Sequence, residues 1–384
     1  MHLAPEKVKG YILDGVIAED NPTFSNWNTI NLPTDARFVE LCEKDNFCSS
    51  KLSAEIKKYG NLTNAWHAVY TTLDTSKPSE NKCVAVLHEI YGNDTTPSEN
   101  LKGYLDTLTG DLARRLLIPA ILHRLVRCKG DDVEFLNTVL TLETGSGEVA
   151  TAFDQVSGMS PFLLGLIKAS EMWTFPSSTW EEEVKNFKNG LFSSDVSSDF
   201  MDNCVLTANV SNPSCTVFAD QYSEKEIVEL LDHPSFLYKR DKYWGKFATI
   251  PVQSSVLVVN GKLDFMTPSE WGAFEFDNIK GNNKLMVDLD NGAHCTVSNP
   301  TTYSDKTQCG YQILASYVLN GGAVDKVDTK CLKALPVLDF ADLKAIQSVL
   351  SNVTSIDELY DSKAASKSTS TTKSTLHIKV QQHK

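Results

Sequence analysis

No run of ~18 apolar residues, the length a membrane-spanning helix needs, occurs in this chain of 384 residues. The longest apolar neighbourhood, Leu116 to Val126, is interrupted by His123 and Arg124, which predicts no membrane span. An excess of positive charge is missing too. Lys and Arg number 36 against 49 Asp and Glu, for a formal charge of −13 and a pI near 5.1, which argues against a nucleic-acid surface. The eight histidines are scattered and no His/Cys/Asp grouping has ligand spacing, so no metal and no organic cofactor is implied. The opening Met1-His2-Leu3-Ala4-Pro5-Glu6-Lys7 is neither a basic n-region nor the start of an apolar h-region, so no signal peptide is legible there. No internal repeat is visible.

What is present begins with material for a large core. At 41% hydrophobic content, a chain of this length supports two folding units. Its acidity reads as a solubility device, or as a funnel for positively charged peptide ends. Nine cysteines and four sequons (Asn61-Leu62-Thr63, Asn93-Asp94-Thr95, Asn209-Val210-Ser211 and Asn352-Val353-Thr354) suggest the secretory route. Cys42 and Cys48, Cys204 and Cys215, and Cys309 and Cys331 form local pairs. Cys83 and Cys128 are then available to pair between helices, leaving Cys295 over. Spacing alone does not decide connectivity, and free buried thiols in a cytosolic protein are the alternative. A chain with secreted features and no export signal predicts that its N-terminus is missing.

Two segments carry the chemistry. Val256-Leu257-Val258-Val259-Asn260-Gly261-Lys262-Leu263-Asp264 is an apolar, strand-like run ending in a turn and an acid. Leu285-Met286-Val287-Asp288-Leu289-Asp290-Asn291-Gly292-Ala293-His294 repeats that form and ends on a histidine. Between them, Thr267-Pro268-Ser269-Glu270-Trp271 reads as an N-cap, a proline in the first turn and a helix to about Ile279. Strand, acid, helix, strand, histidine is a parallel α/β arrangement. An acid and a histidine so placed are two of the three members of a charge-stabilised nucleophilic triad.

Upstream, Tyr11-Ile12-Leu13 is a short strand closed by the turn pair Asp14-Gly15. Residues 36 to 245 read as mostly helical. Helices are expected from Pro97 through Leu108, from Asp111 through Leu125 with a kink or break at Pro119, and from Asp131-Asp132 through Leu140. Others are expected from Pro161 through Ile167 and from the Ser223 cap through Leu231. From Asp361 the chain becomes Ser/Thr/Lys-rich, which reads as a disordered tail.

The segment from Gln253 to Leu335 resembles the C-terminal domain of the tripeptidyl aminopeptidase-like serine peptidases, α/β-hydrolases related to prolyl aminopeptidases. The matching pieces are Val-Leu-Val-Val-Asn-Gly-Lys-Leu-Asp264-Phe-Met-Thr-Pro, Trp271, Asn-Gly-Ala-His294 and the late cysteines Cys309 and Cys331. The N-terminal segment, Met1 through Leu13-Asp14-Gly15-Val16, resembles the end of the family's nucleophile helix and its sixth strand. The resemblance implies an α/β fold, the C-terminal part of an α/β-hydrolase comprising strands six to eight. A large helical cap is inserted between strands six and seven. The implied divisions are 1–35 (nucleophile-helix end and sixth strand), 36–245 (cap), 246–345 (C-terminal core) and 346–384 (tail).

It further implies that Asp264 fixes the imidazole tautomer and that His294 is general base, then general acid. Taken singly, Asp264 reads as a turn aspartate and His294 as a loop histidine; strand order and spacing join them. Asp14, after the sixth strand, competes as the acid, although an Asp-Gly context favours a turn. In the cap, Glu171 and Glu181 are candidates to hold the ammonium of a peptide with a free N-terminus, or else are solvated helix-face acids. Trp173 and Trp180 read as cap packing. Cys295, next to His294, reads as structural or as the partner of a residue in the absent N-terminal half, rather than as a participant in the chemistry.

The family's nucleophile sits in a Gly-x-Ser-x-Gly elbow, and none occurs in the chain. Gly145-Ser146-Gly147 and Ser157-Gly158-Met159-Ser160 fall within the cap, after the sixth-strand match and on the wrong side for the order Ser, Asp, His. The elbow is therefore expected roughly ten residues before Met1. The reading is a fragment of a secreted, extracellular serine exopeptidase that retains acid and base without nucleophile. A non-catalytic peptide-binding pseudo-hydrolase and an esterase or lipase on the same scaffold are the alternatives. Expressed alone, the chain is expected neither to fold cleanly nor to turn over substrate, because its sixth strand is an unpaired apolar edge.

Overall fold

The computed structural model describes residues 1–4, 6–18, 27–93, 95–142, 160–174, 177–193, 197–208, 215 and 233–361. The Gly145-Ser146-Gly147 cluster, residues 157–159, the Ser223 helix, the tail after Asp361, residue 94 of the Asn93 sequon and the whole Asn209 sequon lie outside them. The protein combines many helices with one three-stranded parallel sheet.

The sheet has β1 (Gly10–Asp14), β2 (Ser255–Gly261) and β3 (Lys284–Leu289) in that order. β2 lies in the middle, and every one of its residues is buried, which explains why it reads as a continuous apolar run rather than an alternating one. Its register sets Asp14 opposite Val259 on one side and Gly261 opposite Leu289 on the other. The ends from which the acid and histidine loops leave are thereby level. Parallel neighbours need a crossover, and helix Ser269–Asn278 supplies it between β2 and β3. Among the described residues β1 pairs only with β2, so its other edge carries no strand.

Local chemistry explains most of the helices. Thr96 and Glu99 form a capping box for Pro97–Thr109, and Asn61 and Asn81 cap Leu62–Thr75 and Lys82–Tyr91. The expected break at Pro119 takes a definite form. A 3-10 turn, Arg114–Leu117, hands over to helix Ile118–Arg127 with Pro119 in its first turn, where a missing N–H costs nothing. The Thr267 region differs from the reading above. Helix Ser269–Asn278 starts after Pro268 with no side-chain cap, because the Thr267 hydroxyl is committed to Asp264.

One hydrophobic core spans helices between Phe38 and Leu140 and also takes in Leu191, Phe192, Leu263 and Phe265. Helices Leu343–Val349 and Asp357–Tyr360 pack into that same core, with Tyr360 buried; the stretch read as a tail from 346 is thus ordered through Tyr360. A second core joins the sheet to helix Cys309–Leu319.

Four cysteine pairs stand at disulfide distance. Cys42–Cys48, Cys83–Cys128, Cys204–Cys215 and Cys309–Cys331 have S–S separations of 1.97, 2.09, 2.05 and 2.03 Å. Cys295 alone is a free thiol. Among the described residues no helix is long and apolar enough to cross a membrane.

Candidate active site

Asp264 follows β2 by three residues and is 2% exposed. Its flanking residues, Leu263 and Phe265, are buried in the helical core, where Phe265 meets Phe38 and Phe192 edge-on. Apolar side chains on both sides thus pin the acid in place. Its Oδ1 accepts the Met266 and Thr267 N–H groups at 2.9 and 2.8 Å, and Oδ2 accepts the Thr267 hydroxyl at 2.6 Å.

His294 meets the same oxygen, with Nδ1 3.1 Å from Asp264 Oδ2. An ionised carboxylate only accepts, so this contact places the proton on Nδ1 and leaves Nε2 as the acceptor. The Thr267 hydroxyl oxygen also lies 3.1 Å from Nδ1. The hydrogen bond to Asp264 is the main reason the imidazole pKa is raised above its ordinary value; burial opposes the shift, and the Asp264 and Asp14 charges reinforce it. The His294 side chain keeps 32% of its surface exposed, so the ring is held at one nitrogen and accessible elsewhere.

The two loops are held against each other by backbone. Leu263 N–H donates to Gly292 O at 2.9 Å and Lys262 N–H to Leu289 O at 3.0 Å. Two arginines from the helical layer then grip them. Arg37 donates to Lys262 O at 2.5 Å and to Glu270 at 2.6 Å. Arg115, fully buried, donates to Asn291 O at 3.3 and 3.4 Å and to Thr301 O at 2.8 Å, so it fastens the chain on either side of His294. Neither arginine stood out in the sequence, because the loop partners of both are carbonyl oxygens that any residue could supply and Glu270 lies more than 200 residues from Arg37.

Asp14 is engaged differently from Asp264. Its carboxylate accepts the Thr296 N–H at 3.1 Å and the Val297 N–H at 3.0 Å, so it anchors a distant loop, where the sequence suggests a role in its own Asp-Gly turn. The adjoining Gly15 has φ +68, and a Cβ there would come within 3.2 Å of the His294 ring. The β1 exit therefore packs directly on the histidine. Burial raises the Asp14 pKa, opposed by the two backbone hydrogen bonds.

The cap acids divide. Glu171 is exposed, accepts a hydrogen bond from the Tyr238 hydroxyl and lines a cavity of about 610 Å³ with His2, Ile17, Tyr243 and Trp244. Glu181 is exposed in the first turn of helix Trp180–Asn189 and does not line that cavity. The acid the structure buries is its neighbour Glu183, at 1% exposure, which accepts from Ser178 and is pushed up to about 7 by burial. Helical spacing could have singled it out, since Glu183 shares a face with the buried Phe187. Trp173 and Trp180 both pack edge-on against Phe200 beside the Cys204–Cys215 pair. Ser160 caps its helix by accepting Leu163 N–H at 3.2 Å. Cys295 is exposed, with φ +58 and a thiol pKa raised chiefly by burial.

Compared with family models and with curated proteins, the chain matches none.

Proposed function

We propose that Asp264 and His294 are the acid and base of a serine-type hydrolase on an α/β-hydrolase scaffold, acting at the free N-termini of peptides. The observation that carries the reading is the 3.1 Å Asp264–His294 contact between loops leaving the same ends of adjacent parallel strands. Ligands of open α/β sheets lie beyond those ends. With Nδ1–H held by Asp264, Nε2 takes a proton from a nucleophile and returns it to the leaving group.

The chain holds no Gly-x-Ser-x-Gly. In this reading the serine comes from polypeptide outside these 384 residues that adds a parallel strand along the open edge of β1. The packing of Gly15 on His294 supports that side of the sheet as the place of arrival. The N-terminal preference rests on Glu171 beside the aromatic cavity wall. An extracellular location rests on the four cysteine pairs, since disulfides persist in oxidising compartments.

The test is fluorophosphonate labelling of the native protein, captured through this chain from its source. A labelled serine in polypeptide continuous or associated with the chain, lost on His294→Ala, is the expected result. A folded native preparation that never labels overturns the proposal. Aminoacyl-arylamides against acyl esters then separate a peptidase from an esterase.

A further inference from the structure

A groove of about 560 Å³ opens among helix Gly130–Leu140, helix Leu343–Val349 and helix Asp357–Tyr360. None of its lining residues belongs to the Asp264–His294 site. Its volume falls within the range of small-ligand sites. Phe135, Val349, Leu350 and Val353 line it and are only half buried, so a band of apolar surface stays open to water. Acceptors ring that band, including Glu134 and Glu358. The lining mixes apolar side chains with polar and charged ones, among them the buried Arg124, whose guanidinium stands 5.0 Å over the Phe135 ring, and such a mixture suits an amphipathic ligand.

The groove carries its own attachment point. Asn352 lines it and is exposed, and it is the first residue of the sequon Asn352-Val353-Thr354. The sequon is fixed in a turn. Val353 N–H donates to Leu350 O at 3.1 Å, Gln347 donates to Val353 O at 2.9 Å, and the Thr354 hydroxyl donates to Glu358 at 2.6 Å. Asn352 therefore stands at the tip of an ordered turn over the apolar lining. The Asn61 sequon differs: Asn61 is exposed too, but its side-chain oxygen caps a helix by accepting Asn64 N–H at 2.8 Å.

We propose that Asn352 carries an N-linked glycan whose first N-acetylglucosamine lies in this groove. The proposal rests on the reading that the chain passes through the secretory route. An N-acetylhexosamine matches the lining, with a methyl group and a C–H face for Phe135 and Val353, and hydroxyls for the rim carboxylates. Transfer follows the route's ordinary chemistry. The Asn352 nitrogen bonds to the anomeric carbon and gives up one proton. The bond from that carbon to the lipid-linked diphosphate breaks, and the diphosphate leaves with the electron pair. Once attached, the sugar meets the groove at high effective concentration, so modest contacts suffice to hold it.

The full chain, with a secretion leader, is expressed in a eukaryotic host, and the peptides bearing Asn61 and Asn352 are weighed with and without enzymatic deglycosylation. Glycan on Asn352 is expected. Trimming to a single N-acetylglucosamine should leave the melting temperature unchanged, whereas Asn352→Gln should lower it by about 2 °C. The Asn352→Gln shift should vanish in a Phe135→Ala background, with Val353→Ser as the second background if Phe135→Ala does not fold. Absence of glycan on Asn352, whether or not Asn61 carries one, overturns the proposal and leaves the secretory reading standing. Glycan on Asn352 whose loss leaves the melting temperature unchanged, or lowers it equally in both backgrounds, overturns the groove assignment alone.

Discussion

Gly261 and Gly292 are in backbone contact: a Cβ on Gly292 would stand 3.0 Å from Gly261 Cα, and a Cβ on Gly261 would strike the Gly292 carbonyl. The close approach lets the turn before His294 press on the exit of β2, which sets the distance between acid and base. Gly261→Ala must push the turns apart, because the new Cβ meets backbone atoms of Gly292 and not only the end of a flexible side chain. The expected cost is about 2 kcal/mol or more, read by denaturant unfolding, with loss of the hydrogen-exchange protection of Leu263 N–H. Unchanged protection would show that the contact is dispensable.

Asp264 holds the His294 pKa up, so Asp264→Asn should bring it down, followed through the ring Cε1 proton by NMR. The sign for stability follows. A histidine raised in the folded state contributes stability fully present below its unfolded value, near 6.5, and lost as pH rises through the folded value. In Asp264→Asn that acid-side contribution should shrink. A midpoint for His294 that stays put in the variant would remove Asp264 as its partner.

Asp14 should matter through the loop it anchors. Asp14→Ala deletes the acceptor for both Thr296 and Val297 N–H groups, and bonds to a charged acceptor contribute about 1.5–3 kcal/mol each. Faster exchange at those two amides and a small fall in the His294 pKa are expected, since the Asp14 charge also favours the imidazolium. Exchange at wild-type rates would place the anchoring elsewhere.

Asp35 offers a separate pH test. It is fully buried, accepts Leu191 N–H at 2.7 Å and is pushed up to about 8, mainly by burial. A carboxyl raised in the fold stabilises below its unfolded value, near 4, and that stability drains as pH rises through about 8 at up to about 1.4 kcal/mol per unit. Asp35→Asn mimics the neutral acid, so its stability should vary less between pH 5 and 8 than that of the wild type. Parallel curves for the two proteins, measured by urea unfolding, would contradict the assignment.

Among the described residues no strand covers the outer edge of β1, which predicts poor behaviour in isolation. Ile12 is 40% exposed on that strand, and an unpaired apolar edge recruits other strands. Size-exclusion chromatography of the isolated chain should show self-association that Ile12→Lys reduces. A monodisperse monomer would count against the missing-strand reading.

Much of the fold was legible because local rules dominate there. β2 and β3 were readable as apolar runs, and the helices beginning near Pro97 and Asp131 from a first-turn proline and first-turn acids, whereas spacing left the cysteine connectivity open. Asp264 and His294 were legible as a pair for the same reason, since each ends a strand at a recognisable turn. Thr267 was misread as a cap because its hydroxyl has two possible partners, and the nearer one in space is an acid three residues earlier. Glu183 was passed over for Glu181 because a run of three acids conceals which one faces inward.

By itself, then, the sequence determined the parallel strand–helix–strand unit and the placing of Asp264 and His294 just beyond its two strands, all written within a few dozen consecutive residues. Only the tertiary structure decided that Arg37 and Arg115 clamp the two loops, that Asp14 anchors the histidine loop across some 280 residues, and that the final helices close the helical core. The arginine and Asp14 contacts work largely through backbone carbonyl and amide groups, which every residue carries and which leave no mark in a sequence, and the final helices meet the core only once the chain has folded back on itself.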